Sequence, residues 1–357
     1  MAVDILRLND KKISYDEIKS GDVKGDTPFE QSTLWFIRQW LNGQGLFSLK
    51  TSGSTGEPKP ITVSRYQMRL SAQKTIDYFE LKPEDTVLVC LNTAYIAGIM
   101  MLVRALISKA NIIAIEPTGN PLVDLEDRID FLAVVPLQLQ QILGVPKTKK
   151  KLEKCRSTIV GGAPVSIKLD VEIGNSGANI YATFGMTETL THFALKRLNP
   201  DKEDFFTALE GVTIGQDARG CLTVASLVTE EKALVTNDLV EILSHNTFKW
   251  LGRVDNVINS GGVKLQIEEL ESKIGQVFYN IGLTNRFIVG AFKDEALGEK
   301  VVLIIESEKD IDLLNNVEWS NYLNKYEKPK QILFASPFIE TPTGKVDKKE
   351  IVKKLQN

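Results

Sequence analysis

The sequence predicts an α/β protein with a large N-terminal domain and a small α+β C-terminal domain. Between about residues 86 and 184, continuous apolar runs alternate with segments of helical spacing, which is typical of mostly parallel sheets covered by helices. After residue 215 the apolar runs are short and separated by turns, which indicates a small antiparallel sheet or a β-barrel-like part. The length of 357 residues fits one large and one small domain.

The first region alternates strands and helices. Its strand-like runs are Val87–Leu91, Asn111–Ile115, Phe131–Val135, Thr158–Val160 and Asn179–Phe184. Its predicted helices are Tyr95–Ser108, Leu137–Leu143 and Val165–Ile173. The lysine-rich run Lys147–Lys154 is expected to be a solvated loop between a helix and a strand. Ligands of such sheets bind beyond the carboxyl ends of the strands, so the residues that follow these runs are site candidates.

The two later regions have a different pattern of apolar residues. Short strands are predicted at Cys221–Ala225, Ala233–Val235, Leu239–Leu243 and Phe248–Leu251. Beyond Gly252 we expect strands Phe287–Phe292 and Val301–Ile305, helices around Gln266–Gln276 and Val317–Asn324, and an amphipathic tail helix after Asp347. We place the domain boundary at Gly252–Asn256, which gives domains 1–251 and 252–357.

Composition gives no indication of several classes of partner. The net charge of −3 gives no sign of nucleic acid or anionic membrane as a partner. The cysteines Cys90, Cys155 and Cys221 lie far apart and form no metal-binding spacing, which favours reduced thiols. The N-terminus lacks the apolar core of a signal peptide, and the uncharged run Val87–Val103 is short for a membrane span of ~20 residues. A cytoplasmic protein without a membrane partner is expected.

The most informative motif is the nine-residue run Thr51–Lys59, with sequence TSGSTGEPK. Its glycines allow a close approach of backbone N–H groups to a ligand, and its hydroxyls and Lys59 add donors for phosphate oxygens. It departs from the P-loop pattern, because Pro58 stands at the second glycine position and Pro60 follows the lysine. The run therefore indicates a polyphosphate cradle, and a flexible surface linker is the alternative.

Four further segments carry groups suited to a nucleotide. Tyr181–Thr189 ends a predicted strand and presents Glu188, whose oxygens suit Mg²⁺. Thr236-Asn237-Asp238 places a carboxylate where it could bond ribose hydroxyls. The other two are Trp250–Asp255, with a guanidinium and a carboxylate, and Pro342–Lys345, a turn with one lysine. Taken singly, each has an ordinary alternative: a helix cap, a turn former, a surface ion pair or an exposed lysine.

Together and in this order, the segments resemble the acyl-adenylate-forming superfamily of acyl-CoA ligases, adenylation domains and luciferases. The resemblance runs from about residue 50 to the C-terminus and includes Gly252–Glu271, with sequence GRVDNVINSGGVKLQIEELE. It implies a C-terminal domain that is mobile about a hinge at Asp255. It also implies a reaction of a small-molecule carboxylic acid with MgATP to an acyl-adenylate, followed by transfer to CoA.

The resemblance also implies roles for individual residues. Lys345 would supply charge for adenylation, Glu188 would bind the metal, and Thr187 would touch the α-phosphate. The implied ATP- and AMP-binding residues are Thr51, Ser52, Gly53, Ser54, Thr55, Gly56 and Lys59, then Gly161, Gly162 and Ala163, then Thr183, Phe184, Gly185, Met186 and Thr187, and finally Asp238 and Arg253 at the ribose. Asp255 would be the hinge, and Gly261, Gly262 and Lys264 would line the CoA channel.

The segment Leu91–Arg104 resembles the acid pocket of o-succinylbenzoate–CoA ligases, enzymes of menaquinone biosynthesis. Tyr95 and Arg104 are the implied acid-binding residues, and Arg104 would meet a second carboxylate of the acid. The alternative for Arg104 is an arginine of an amphipathic helix that reaches solvent. Tyr95 replaces the usual histidine and Asn237 a usual glycine. The region before the phosphate loop is shorter than in relatives, and a partner subunit, for example in a homodimer, could replace part of it.

Three other functions remain open from the sequence. The chain could be a ligase for another aryl or fatty acid, which acid-dependent pyrophosphate release would identify. It could be a stand-alone adenylation domain that loads a carrier protein, in which case CoA would fail as acceptor. It could also be an inactive nucleotide-binding scaffold, against which the presence of Lys345, Glu188 and Asp238 argues.

Overall fold

A computed structural model of the chain describes residues 5–50, 60–340 and 346–356. The strands are β1 Ile5–Leu8, β2 Lys11–Ser14, β3 Leu46–Lys50, β4 Pro60–Ser64, β5 Thr86–Val89, β6 Asn111–Ala114, β7 Phe131–Val134, β8 Ser157–Val160, β9 Ile180–Gly185, β10 His192–Asn199, β11 Phe206–Ala208, β12 Val212–Gln216, β13 Cys221–Ser226, β14 Leu234–Ile242, β15 Thr247–Arg253, β16 Val257–Ser260, β17 Val263–Gln266, β18 Phe287–Asp294, β19 Gly298–Glu306 and β20 Gln331–Ala335.

The helices are α1 Tyr15–Ser20, α2 Pro28–Leu41, α3 Arg65–Phe79, α4 Ile96–Ser108, α5 Pro136–Gly144, α6 Pro146–Glu153, α7 Ile167–Gly174, α8 Ile267–Asn280 and α9 Lys348–Gln356. Short 3-10 segments lie at Thr187–Thr189, Leu227–Thr229, Asp312–Asn316 and Trp319–Asn321. Within the described ranges, none of the helices combines the length and the apolar character that a membrane span needs.

A large sheet organises the N-terminal part. Its strand order is β12-β13-β14-β15-β11-β10-β9-β8-β7-β5-β6-β1-β2. The strands from β9 to β1 in this order pair in parallel. The predicted α/β class with a mostly parallel, helix-covered region is therefore confirmed. The predicted antiparallel strands also exist, but in the described residues they continue this sheet at one edge rather than forming a separate sheet or barrel.

The parallel strands are mostly apolar because both of their faces are buried. On β5, Val87 and Val89 enter one core and Leu88 enters the other. Helices α3 and α4 supply the first core, and α5 and α7 supply the second. Side chains alternate between the two faces of a strand, so two-sided burial produces the continuous apolar runs that predicted these strands.

Some predictions of elements are wrong. The run Lys147–Lys154 is mostly helix α6, because Pro146 occupies the first helical position and Thr148 and Leu152, four residues apart, are buried on one face. The predicted helix Val317–Asn324 is reduced to a 3-10 turn at Trp319–Asn321. The separate runs Ala233–Val235 and Leu239–Leu243 are one strand, β14, whose pairing with β15 shifts register between Leu239 and Val240.

The C-terminal part has its own sheet and cores. Strands β17-β16-β19-β18 are antiparallel neighbours, and β20 pairs in parallel with β19. Leu270 and Ile274 of α8 belong to one core, and Ile351 of α9 belongs to the other. The large sheet ends at Arg253 and the small sheet begins at Val257. The boundary at residue 252 and the mobility of the C-terminal domain stay predictions.

Candidate active site

The candidate nucleotide residues lie after two neighbouring parallel strands. Gly161, Gly162 and Ala163 follow β8, and Thr183 to Gly185 end β9, which pairs with β8. The backbone N–H of Gly161 donates to the carbonyl of Val134 at 3.2 Å. A Cβ on Gly161 would lie 2.1 Å from Thr183 Oγ1. The two strand ends can therefore lie this close together only because residue 161 has no side chain.

The segment after β9 is a compact turn that presents two exposed side chains. A Cβ on Gly185 would lie 2.5 Å from the Cα of His192, so glycine is required where β9 meets β10. The N–H of Met186 donates to Thr189 Oγ1 at 3.0 Å. Thr187 and Glu188 are exposed on the following 3-10 turn. The structure thus offers both groups to a ligand at the carboxyl edge of the sheet.

Glu188 has the chemistry expected of a magnesium ligand. No hydrogen bond or ion pair engages its carboxylate within the part of the chain that the structure describes. No group of three or more His, Cys, Asp or Glu side chains converges on a metal position among the described residues. One free carboxylate fits Mg²⁺, because this ion keeps several waters and is commonly held by one or two carboxylates together with the phosphates of the substrate.

The predicted ribose-binding pair lies together on adjacent strands. Asp238 of β14 and Arg253 of β15 are directly opposite in the antiparallel register. Trp250 Nε1 donates to Asp238 Oδ1 at 3.0 Å. Burial raises the pKa of Asp238, and the bond from Trp250 acts in the opposite direction by favouring the ionised form.

Arg253 is paired with the predicted hinge residue rather than with Asp238. Its Nε and Nη2 donate to Asp255 Oδ1 and Oδ2 at 3.0 and 3.1 Å. These bonds lower the pKa of Asp255. The two side chains are 41% and 39% exposed, so water screens the pair and it contributes little to stability. A ribose hydroxyl or phosphate could therefore compete for this guanidinium at small cost.

The predicted CoA-channel residues lie on the hairpin between β16 and β17. Gly261 and Gly262 have φ angles of +60° and +79°, a backbone region that favours glycine. A Cβ on Gly261 would also lie 2.6 Å from Tyr326 Cε1. Lys264 is exposed on β17. Their contact with CoA stays a prediction.

The predicted acid-binding residues lie on α4 or directly before it. Tyr95 is the half-buried residue that precedes the helix, and Arg104 lies in its third turn with 2% of its surface exposed. The alternative of a solvent-reaching arginine is therefore wrong. Burial lowers the pKa of Arg104 to about 9, so the guanidinium is still cationic at neutral pH.

The surroundings of Arg104 offer few acceptors. Its Nη1 lies 3.6 Å from Met101 Sδ and its Nη2 lies 3.4 Å from Thr191 Oγ1. Its Nε has no hydrogen-bond partner among the described residues. Across the described ranges, no carboxylate pairs with this guanidinium. An arginine has five N–H donors, so this guanidinium has donors left to bind an anion from outside the described residues.

Four polar residues near Arg104 escaped prediction from the sequence. Ser71 Oγ lies 2.8 Å from Thr191 Oγ1, and Thr75 Oγ1 lies 3.1 Å from His192 Nε2. Burial, followed by the charge of Arg104, lowers the pKa of His192 well below its ordinary value, so the ring is neutral. The only signal in the sequence was position, since Thr191 and His192 follow Glu188 within four residues.

The remaining candidates lie outside the described residues. These are Thr51, Ser52, Gly53, Ser54, Thr55, Gly56 and Lys59 of the phosphate loop, and Lys345. The described residues also line two cavities away from the site, one of about 300 Å³ beside α1 and α2 and one of about 520 Å³ beside α6. Neither cavity is lined by a predicted site residue.

Comparison with known proteins identifies the family. The protein-family model described as AMP-binding enzyme matches residues 46–216. The 2-succinylbenzoate–CoA ligase of Salmonella typhimurium is 24% identical over 315 residues, which are 84% of this chain and 67% of that protein. The structure of an Escherichia coli MenE variant with bound OSB-AMS has a TM-score of 0.74 at 18% identity, covering 99% of this chain and 96% of that one, and so supports the fold alone.

A closer match in sequence comes from Dyadobacter fermentans. The crystal structure of its acyl-CoA synthetase (AMP-forming)/AMP-acid ligase II-like protein is 40% identical, with a TM-score of 0.63, and the match covers 94% of this chain and 97% of that one. Identity at this level over nearly the whole of both chains, together with the matched family model, confirms the resemblance inferred from the motifs: the chain belongs to the family of AMP-binding enzymes.

Proposed function

We propose that the chain is an AMP-forming acid–CoA ligase and that its acid is o-succinylbenzoate. Family membership and the names of its relatives support the ligase class. The relatives named 2-succinylbenzoate–CoA ligase are 23–25% identical to this chain, and the choice of acid rests on the residues of the site.

Arg104 is the observation that carries the choice of acid. A buried guanidinium without a carboxylate partner in the described residues is unfavourable in the free protein, and a bound anion would compensate it. The carboxylate that reacts with ATP must face the nucleotide, so it cannot also neutralise the guanidinium of Arg104. An acid with two carboxylates, such as o-succinylbenzoate, satisfies both requirements.

In the first half-reaction, a carboxylate oxygen of the acid attacks the α-phosphorus of ATP and pyrophosphate leaves. Asp238 and Arg253 would hold the ribose, while Gly161–Ala163 and Thr183–Gly185 would frame the adenine. Thr187 and Lys345 would bond the α-phosphate oxygens, where negative charge increases. Glu188 would hold Mg²⁺, which neutralises phosphate charge when bound.

In the second half-reaction, the thiol of CoA attacks the acyl carbon and AMP leaves. Gly261, Gly262 and Lys264 would face the pantetheine arm after a rotation at Asp255. In the described conformation Arg253 binds Asp255, so this rotation would also change the ribose contact.

The test measures AMP and pyrophosphate release from MgATP. o-Succinylbenzoate is compared with benzoate and a medium-chain fatty acid, each with and without CoA. We expect turnover that requires both o-succinylbenzoate and CoA. Activity with another acid would keep the ligase and overturn the substrate. Pyrophosphate release that a phosphopantetheinyl carrier protein, and not CoA, turns into a thioester would indicate an adenylation domain. Nucleotide binding without turnover would indicate a scaffold.

A further inference from the structure

The hydroxyl of Thr191 connects the acid site with the nucleotide turn. Its Oγ1 lies 3.4 Å from Nη2 of Arg104 and 2.8 Å from Oγ of Ser71 on α3. The guanidinium has only donors, so the Thr191 oxygen must accept from it. In the described residues this is the guanidinium's one oxygen contact, beside the contact of Nη1 with Met101 Sδ.

The backbone before Thr191 is held in a strained conformation. Leu190 has φ of 69° and ψ of −52°, and the N–H of Thr191 donates to the carbonyl of Thr189 at 2.8 Å. This is a γ-turn with positive φ, a rare and strained form for a residue with a side chain. Leu190 is 4% exposed, so its burial in the main core keeps the turn in place. Strain of this kind persists where the surroundings over-determine it, and it concentrates at functional sites.

Further contacts within the turn hold the backbone of Thr191. The Oγ1 of Thr189 lies 2.8 Å from the carbonyl oxygen of Thr191 and 3.0 Å from that of Met186. Gly185 lies against the Thr191 carbonyl, since a Cβ there would be 2.5 Å from its oxygen. Thr191 is therefore fixed by the turn that also presents Thr187 and Glu188.

Arg104 contacts a hydroxyl at position 191 and not a carboxylate, and this difference favours the binding of an external anion. A carboxylate at position 191 would hold the guanidinium more tightly but would also neutralise it. A hydroxyl orients the group and leaves its positive charge for a bound anion. Ser71 supplies the acceptor or donor that completes the bonding of the Thr191 hydroxyl.

We propose that Thr191 is a positioning residue that orients Arg104 toward an anionic group of the acid, with the strained turn at Leu190 fixing Thr191 in place. This inference rests on the proposed function, because it takes Arg104 as the acid-binding group. It predicts that Thr191 acts on affinity for the acid and not on affinity for ATP.

The experiment compares Thr191→Val, which keeps shape and removes the hydroxyl, with Thr191→Ser, which keeps the hydroxyl. Thr75→Val is the matched control, because Thr75 is a buried hydroxyl of the same cluster that contacts His192 instead. The free energy of a hydrogen bond to a charged group corresponds to about a tenfold change in affinity, so Thr191→Val should raise KM for o-succinylbenzoate roughly tenfold. We expect unchanged KM for ATP, recovery in Thr191→Ser, and a wild-type KM for the acid in Thr75→Val.

Several results would overturn the proposal. These are an unchanged KM for the acid in Thr191→Val, an equal rise in KM for ATP, no recovery with serine, or the same effect in Thr75→Val. Thermal unfolding of all variants shows whether loss of folding explains a change. If the wild-type protein uses a different acid, the substrate assignment fails and the same comparison is made with that acid; only an unchanged KM there overturns the role of Thr191. Absence of turnover with every acid would overturn both.

Discussion

Arg104 and His192 are buried side by side, and burial affects them in opposite ways. The arginine starts from a high pKa, so it keeps its proton at neutral pH even after burial lowers the value to about 9. The histidine starts near neutrality, so burial and the neighbouring positive charge leave it uncharged. The cluster consequently carries a single positive charge, which matches one carboxylate.

Replacement of Arg104 should separate function from stability. In Arg104→Met we expect kcat/KM with o-succinylbenzoate to fall at least about a hundredfold, because a desolvated charge contact is worth a few kcal/mol. The free energy of unfolding should be equal or higher, since an uncompensated buried charge is removed. Steady-state kinetics and urea unfolding measure the two quantities. A parallel loss of activity and stability would instead identify Arg104 as a structural residue.

His192 should make stability depend on pH. Its folded pKa lies below the unfolded value of about 6.5, so below that pH the unfolded chain binds a proton that the folded chain does not. Stability is therefore full above pH ~6.5 and should fall with decreasing pH by at most about 1.4 kcal/mol per unit from this group. The exposed His245 provides the control. Urea unfolding at pH 5 and 7 should show a smaller difference in His192→Gln and a wild-type difference in His245→Gln.

At the scale of elements, the sequence predicted what a periodic pattern encodes. Strands β5 to β9 were found because burial on both faces makes them mostly apolar. Helix α6 was not, because its buried face is only Thr148 and Leu152 among lysines. Strands β10 to β12 and helix α3 were not predicted either, so Ser71 and Thr191 could not be placed near Arg104, nor Thr75 against His192. Their proximity to Arg104 depends on tertiary packing, which no local pattern records.

The contact between the ends of β8 and β9 gives an element-scale prediction. Gly161→Ala would place a Cβ 2.1 Å from Thr183 Oγ1, and threonine has little freedom at χ1 to withdraw. We expect a loss of about 1–3 kcal/mol in the free energy of unfolding. The double variant with Thr183→Ala should recover stability, because Thr183 Cβ would be 3.5 Å away, an ordinary contact.

Gly174→Ala on α7 is the control for this prediction, because a Cβ there would meet nothing within 4 Å. Urea unfolding measures all three variants. The two strand ends are not in close contact if the Gly161→Ala variant is as stable as the wild-type protein. The same conclusion follows if the double variant does not recover stability.

At the scale of the whole molecule, polar contacts hold the C-terminal part against the end of β15 and against the connecting residues 254–256. Gln266 Nε2 donates to the carbonyl of Arg253 at 2.8 Å, and Asn256 Nδ2 donates to Glu268 Oε1 at 2.6 Å. The charge of Lys349 on α9 also helps to lower the pKa of Asp255. The boundary was predicted from a change in the pattern of apolar runs along the sequence. These contacts could not be predicted in the same way, because they join groups that only the folded chain brings together.

The proposed rotation at Asp255 leads to a prediction for Lys345, which lies outside the described residues. If its amine serves adenylation alone, Lys345→Ala should lower acid-dependent pyrophosphate release about 10²–10³-fold, the effect of losing one preorganised group at a developing charge. Thioester formation from supplied acyl-adenylate and CoA should keep its wild-type rate. In that step the thiol attacks the acyl carbon, and no new bond forms to the α-phosphorus. The exposed Lys353→Ala on α9 controls for a general loss of charge. Equal losses in both half-reactions would mean that the lysine stays in the site throughout, and the proposed alternation of the C-terminal domain would then be wrong.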